Sequence, residues 1–254
     1  MKLSSPIAEI CGALIGDGWI ESRGGALYLC GNMTEDKDYY DHHMGGLFST
    51  HFKPIKLRYY PYWSVYGFHI YNKQIIHDIL GLGVPKGRKA SVVAAPEWIF
   101  TSLDNMKSFL KGVFDTDGSF TCKKCYGKYD SYFRKNYHCQ PRIEFRLTSK
   151  GLIEDLSAIL EKLGLSPESI KKRKGGLICG KNCKDSYLLR LNRIDHIKKW
   201  FDLHSLSSNP KHLTKYLIWK KFGFCPPNTT IEERKLILSE HLDPYNYYNA
   251  GARI

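Results

Sequence analysis

Two aspartates, Asp17 and Asp117, end two matched stretches of this 254-residue chain. Ile10-Cys-Gly-Ala-Leu-Ile-Gly-Asp-Gly18 aligns with Leu110-Lys-Gly-Val-Phe-Asp-Thr-Asp-Gly118 at an offset of 100, so that Gly12 matches Gly112 and Gly18 matches Gly118. The chemistry this suggests is cation binding. Each acid follows an apolar helical pattern and so falls at the carbonyl-rich, negative helix end. A carboxylate is poorly placed there unless a cation accompanies it.

The elements that must carry these acids are two helices. Ser102 is a candidate N-cap, with Asp104 in the first turn. Phe109, Leu110, Val113 and Phe114 form the apolar stripe. Ser5-Pro6 opens the first copy, with proline at the first helical position. Gly112 sits mid-helix, where glycine costs about 1 kcal/mol relative to alanine, which a close backbone approach would explain. Gly118 is expected to be a left-handed stop. Two copies, a small domain apart, indicate a duplicated unit.

These residues resemble the LAGLIDADG homing endonucleases in their two-motif, single-chain form, over roughly residues 5–240. The eighth residue of the family's nine-residue pattern is the metal-binding acid, here Asp17 and Asp117. Ile15 departs from the pattern at the sixth position, which is not the catalytic one. The resemblance implies an α+β fold of two pseudo-symmetric αββαββα halves with saddle-shaped antiparallel DNA-binding sheets. It implies that the motif helices pack side by side, helped by Gly12, Gly16 and Gly112, so that both acids meet. Like charges at close range repel, and divalent cations remove the repulsion. Hard oxygen ligands with retained water suit Mg²⁺, with the carbonyls of Gly16 and Thr116 as additional ligands by resemblance. A basic residue is expected near each acid. Lys89 fits in the first half and Lys211 in the second, with Lys215 as a substitute. Asn32 and Leu147 close the first long strand of each half. Leu147 cannot position a water, so the two half-sites are expected to be inequivalent.

The activity implied is a metal-dependent, staggered double-strand break with 3′ overhangs in a long asymmetric DNA site, by an intron-encoded monomer. The alternatives from other classes are an RNA maturase that binds its own intron RNA and a cleavage-dead DNA-binding regulator, which two intact acids disfavour. Asp115-Thr-Asp-Gly-Ser119 also resembles the haloacid-dehalogenase phosphatase signature, in which the first aspartate is the nucleophile. That reading leaves the copy at Asp17 unexplained. An EF-hand fails on ligand spacing.

Composition agrees with a polyanionic partner. Formal net charge is +13, and 17 tyrosines interleave with the basic residues. With 43% apolar residues the chain can bury a core. It contains no run of about 18 apolar residues, so no membrane partner is expected. The N-terminus shows no apolar signal region and the eight cysteines are sparse, so an intracellular, reducing location is expected. Cys122-x-x-Cys125 and Cys179-x-x-x-Cys183 have zinc-like spacing, with His138 and Cys139 as further candidate ligands, against a simpler reading as free thiols or disulfides.

In chain order, a helix is expected over 6–16, a strand over 26–31, a helix over 35–48, a hairpin over 56–71 turning at Pro61, and a helix over 75–80. The second half repeats this from residue 99: strands near 119–122 and 142–147, a helix capped by Ser149 and ended by Gly164, a basic turn over 171–176 and a strand over 186–191. Asn192-Arg193 then opens a helix as Asn72-Lys73 does, so the offset has grown to 120. About 20 extra residues are therefore placed in the second half's first hairpin. The halves are read as 1–98 and 99–222, with a helical extension over 223–254. Cys122–Pro141 holds five basic residues and five aromatics, which suits a ribbon entering the major groove. Lys123, Lys124, Lys128 and Arg134 on it, and Arg58, Arg142, Arg146 and Arg190 on candidate strands, are the expected DNA contacts.

Overall fold

The structure is a computed structural model that describes residues 2–123, 139–178 and 180–249. The first half runs α1 (Ser5–Gly16), β1 (Gly18–Ile20), β2 (Leu27–Asn32), α2 (Lys37–Tyr39), α3 (Gly45–His51), β3 (Arg58–Tyr60), β4 (Val65–Ile70) and α4 (Lys73–Gly81). A π turn over Tyr40–Met44 joins α2 to α3, so the expected single helix starts later and is wider in its middle. The second half runs α5 (Leu103–Asp117), β5 (Gly118–Lys123), β6 (Gln140–Leu147), α6 (Lys150–Lys162), β7 (Lys171–Arg173), a ribbon of β8 (Gly176–Ile178) and β9 (Lys181–Cys183), β10 (Ser186–Leu191) and α7 (Ile194–Lys198). Then come α8 (Pro210–Phe222) and α9 (Ile231–Leu238).

The two sheets repeat one topology. The first has strand order β1-β2-β4-β3, and the second β5-β6-β10-β7. All the pairs are antiparallel. Gly18 pairs with Leu29, 11 residues on, and Gly118 with Phe145, 27 residues on, so most of the extra length in the second half falls in its first hairpin. Residues 124–138 of that hairpin lie outside the described residues. Two expectations need correcting. Residues 171–173 are an edge strand, not a turn, because their extended backbone completes the sheet against Ser186–Leu188. The short β1 has no run of apolar residues to signal it.

Alternation places one face of each sheet inward. In β6, Ile143 and Phe145 are buried while Arg142 and Arg146 face outward. Ser102 and Ser149 are N-caps as expected, accepting from the amides of Asn105 and Leu152. Gly164, at φ +69°, ends α6 in the left-handed region. Helix α1 is buried from Ile7 to Ile15 on every side, the pattern of a central helix.

That central position comes from a glycine seam with α5. A Cβ on Gly12 would strike the carbonyl of Phe109, and one on Gly112 the carbonyl of Glu9. These obstacles are backbone atoms, so nothing can yield. Gly118 is not the expected left-handed stop: its backbone is extended, at φ −79° and ψ 167°. It is glycine because a Cβ would collide with Phe114. Across the seam, Glu9 takes Lys111 Nζ at 3.0 Å and His43 Nε2 at 2.5 Å.

Candidate active site

The seam delivers the two acids to one place. Asp17 caps α1 and Asp117 closes α5, and a Cβ built on Gly16 would run into Thr116 and lie 3.6 Å from the Asp117 carboxyl carbon. Protein packs closely round both carboxylates, yet Asp117 keeps a side open to solvent. Burial pushes Asp17 up to about 8, and the negative charges of Asp117 and Asp36 add to the effect. Burial also raises Asp117, opposed by Lys89 and Lys211. The pair therefore resists carrying two negative charges unless a cation joins it.

Lys89 reaches this place from the loop after α4. Its ammonium donates to the carbonyls of Leu14, Ile15 and Gly16, at 2.5, 2.7 and 2.8 Å. It is a cationic C-cap for α1. Burial lowers its pKa to about 8, while Asp117 and Asp17 favour its charged form. The Gly16 carbonyl thus already carries a hydrogen bond, and one lone pair is left for any cation. The Thr116 hydroxyl is turned back to the Gly112 and Val113 carbonyls, at 2.9 and 3.1 Å.

Lys211 reaches the site from a helix, where Lys89 does so from a loop. Asn209 is the N-cap of α8 and Pro210 its first residue, so Lys211 lies in the first turn. Its ammonium pairs with Asp36 at 2.8 Å. Asp36 is buried and also accepts from Asn209 Nδ2 at 2.7 Å and from the Asn32 amide at 2.8 Å. Lys211 still lies close enough to both acids to lower their pKa values. Lys215 lies one turn further along α8, its pKa lowered by burial. Asp36 and Asn209 were both missed from sequence. Asn209-Pro210 carries the cap signal, serine-like cap followed by proline at the first helical position, that would have found one of them. A cleft of about 540 Å³ opens here, lined by Asn32, Asp36, Thr121, Lys211, Lys215 and Arg234 among others.

Asp115 cannot be a nucleophile. It is fully buried and accepts from Ser207 Oγ at 2.5 Å and the Ser208 amide at 2.7 Å. It anchors the turn that leads into α8.

Among the described residues, no three His, Cys, Asp or Glu side chains converge into a self-contained metal cage. The donor set fits a hard cation that two carboxylates hold and that waters or a phosphate complete. Of the zinc candidates, Cys122 and Cys139 are neighbours at the root of the long hairpin, with Cys225 close by. Cys183 is an exposed free thiol on the β8–β9 ribbon. Cys125, His138 and Cys179 lie outside the described residues.

The expected DNA contacts divide. Arg58 on β3 and Arg146 on β6 are exposed, and Arg142 faces the same side as Arg146. Arg190 faces that side too, but it is engaged by Glu144 at 2.6 Å and Glu168 at 3.7 Å, so its charge is spent within the sheet. Lys123 ends β5. Lys124, Lys128 and Arg134 lie outside the described residues.

Residues 104–195 match the model of the LAGLIDADG-like domain family. Among curated proteins, none matches the sequence. Among solved structures, the homing endonuclease I-DmoI bound to DNA and Ca is similar at 12% identity and TM-score 0.51, over 81% of this chain and 93% of that one. A single-residue variant of I-SmaMI is similar at 12% identity and TM-score 0.52, over 99% of this chain and 96% of that one. At that identity the likeness establishes the fold: two αββαββα halves, as in those proteins.

Proposed function

We propose that this chain, whose residues 104–195 form a LAGLIDADG-like domain, is a site-specific homing endonuclease that cuts both strands of duplex DNA. The observation that carries this is the meeting of Asp17 and Asp117 at one end of the glycine seam, between two sheets with outward faces left open. Each sheet covers the major groove of half a target, and two halves a helical turn apart span roughly 20 bp. I-DmoI has been solved with DNA and Ca and with DNA and Mn. By analogy the centre here works with a divalent cation, Mg²⁺ first.

Asp17 and Asp117 would hold the cation, with the Gly16 carbonyl beside them. Bound there, it supplies an acidified water and counter-charge for the leaving 3′ oxygen. Lys89 fixes the end of α1 and places a positive charge where the phosphate becomes more negative. Lys211, oriented by Asp36, does so from α8. One acid serves each strand, so the break is double-stranded, and the resemblance to the LAGLIDADG homing endonucleases implies that it is staggered with 3′ overhangs. Both motifs are in one chain, so the protein acts as a monomer, and it is encoded within an intron.

The test is incubation with a pool of long randomised DNA duplexes, with Mg²⁺ or with EDTA, followed by capture of new ends. Mg²⁺-dependent ends with 3′ overhangs at one shared sequence are expected. Asp17→Asn and Asp117→Asn should abolish them and spare binding. Ends that Asp17→Asn produces as well as the wild type does would sink the reading.

A further inference from the structure

The two outward sheet faces differ in kind. On the second sheet the outward row carries Arg142, Glu144 and Arg146. On the first it is aromatic. Trp19, Tyr28 and His69 lie directly opposite one another on β1, β2 and β4, a single row across three strands. Trp19 stacks on Tyr28 with centroids 5.3 Å apart, and Tyr28 meets His69 at 5.7 Å. Tyr60 and Trp63 extend the row, Trp63 edge-on to Tyr28 at 6.1 Å. A core role does not explain them, since Trp19 is 46% and Trp63 56% exposed. Contiguous exposed apolar surface of this kind marks a binding face.

We infer that this aromatic row is the specificity surface of the first half, and that it reads the C5-methyl groups of thymines in the major groove of duplex DNA. The inference rests on the proposed function, which puts this face against a half-site. Two of its polar groups are committed to each other. The Tyr60 hydroxyl donates to Nδ1 of His69 at 2.6 Å. His69 is held below its ordinary pKa by burial and by Arg58, so its ring is neutral and free to accept. The donors that remain, the indole N–H groups of Trp19 and Trp63, are small beside the ring surface that carries them. What the row offers is apolar contact, and in the major groove the apolar feature of a base pair is the thymine methyl. Unpaired bases are a poorer match, because stacking needs free ring faces. Trp19 already stacks on Tyr28 and Tyr60 on Trp63, and further rings crowd Tyr28 and His69, so part of the stacking surface is taken. Arg58, outward on the edge strand, supplies the phosphate anchor. The half-site under the first sheet is therefore rich in A·T pairs, and the one under the second is read by arginine at guanine.

The experiment compares binding to 30-bp poly(dA)·poly(dT) and poly(dA)·poly(dU) duplexes, and to single-stranded poly(dT) and poly(U), by fluorescence anisotropy in EDTA. Wild-type protein should bind the thymine duplex about tenfold tighter than the uracil duplex. Trp63→Ala should bring that ratio to about one, and Trp63→Phe should keep most of it. Trp63 sits on an exposed turn, so its loss leaves the fold intact. Methyl removal also alters duplex shape, but a preference based on shape would persist in Trp63→Ala. Equal affinity of the wild type for the two duplexes, a ratio that Trp63→Ala leaves unchanged, or tighter binding of either single strand would overturn the inference. Because no cleavage is read, a protein that cuts nothing yet prefers thymine keeps this inference and loses the nuclease reading. One that cuts DNA but ignores the methyl loses only this inference.

Discussion

Asn209 stands to α5 as Lys89 stands to α1. The two positions are 120 apart, the offset the two halves have reached by that point. Lys89 donates to the Ile15 carbonyl at 2.7 Å, and Asn209 Nδ2 to the Asp115 carbonyl at 2.8 Å. One helix end is capped by a cation, its twin by a neutral amide. The charge missing from the second half is supplied by Lys211, two residues on, under the control of Asp36.

Lys89→Met and Asn209→Ala should therefore fail differently. Lys89→Met removes the cation beside both acids and should cut the cleavage rate at least about a hundredfold. Its melting temperature should drop by only a few degrees. Asn209→Ala leaves a cap empty and strips donors from Asp36 and the Asp115 carbonyl. It should cost about 2–4 kcal/mol, with smaller loss of activity at low temperature. Single-turnover cleavage and urea titration on both variants separate the two roles.

Without divalent cations, Asp17 should weaken the fold at neutral pH. Its carboxyl has a folded pKa raised from 3.8 to about 8. A raised group contributes stability that is whole below the unfolded value and is lost as pH rises through the folded one. In EDTA the melting temperature should fall between pH 4 and 8. Asp17→Asn should flatten that slope and melt higher at pH 7, while Mg²⁺ should stabilise the wild type alone. A melting curve for Asp17→Asn that matches the wild type across this window would contradict the crowding of charge at the helix ends.

Glu9 carries the opposite sign. Burial raises its pKa, but the hydrogen bond from His43 and the charge of Lys111 outweigh that, and the net shift is downward from 4.5. Its contribution is present above the unfolded value and is lost as pH falls below it. Glu9→Gln leaves Lys111 without its partner across the seam and should cost about 3 kcal/mol at pH 7. The difference from wild type should shrink on acidification below pH 4.5, which urea titrations at several pH values would follow.

Gly112→Ala should be far worse than helix propensity predicts. Alanine favours a helix by about 1 kcal/mol over glycine, but here its methyl meets the Glu9 backbone. A net loss of at least about 2 kcal/mol is expected. Gly46 in α3 has nothing within 4 Å of such a methyl, so Gly46→Ala should be neutral or stabilising. Chemical denaturation of the two variants measures the difference.

The seam was legible because backbone contact demands glycine, and glycine in a helix is costly enough to be noticed. Asp17 and Asp117 were legible because the pattern occurs twice. Asp36 was not: it belongs to no repeat, and its partners Asn209 and Lys211 are distant in sequence. Lys211 was named as the basic residue of the second half, but Asn209-Pro210, which marks the start of its helix, went unused. Arg190 was read as free because alternation tells which face a residue takes and nothing about a neighbour such as Glu144. The aromatic row escaped for a related reason, as Trp19, Tyr28 and His69 become adjacent only through strand register.

Arg234 is 1% exposed, donates to the Thr229 carbonyl at 2.7 Å, and grips Glu35, 199 residues earlier in the chain, at 2.9 Å. Ribosomes deliver the chain from its N-terminus at about 5–20 residues per second. Asp17 and Lys89 are thus made long before Asn209, Lys211 and Arg234, which hold Asp36 and Glu35 in place. Until then the buried Asp36 and the half-buried Glu35 lack these partners. The surroundings of Asp17 and Lys89 are therefore complete only once α8 and α9 have been made.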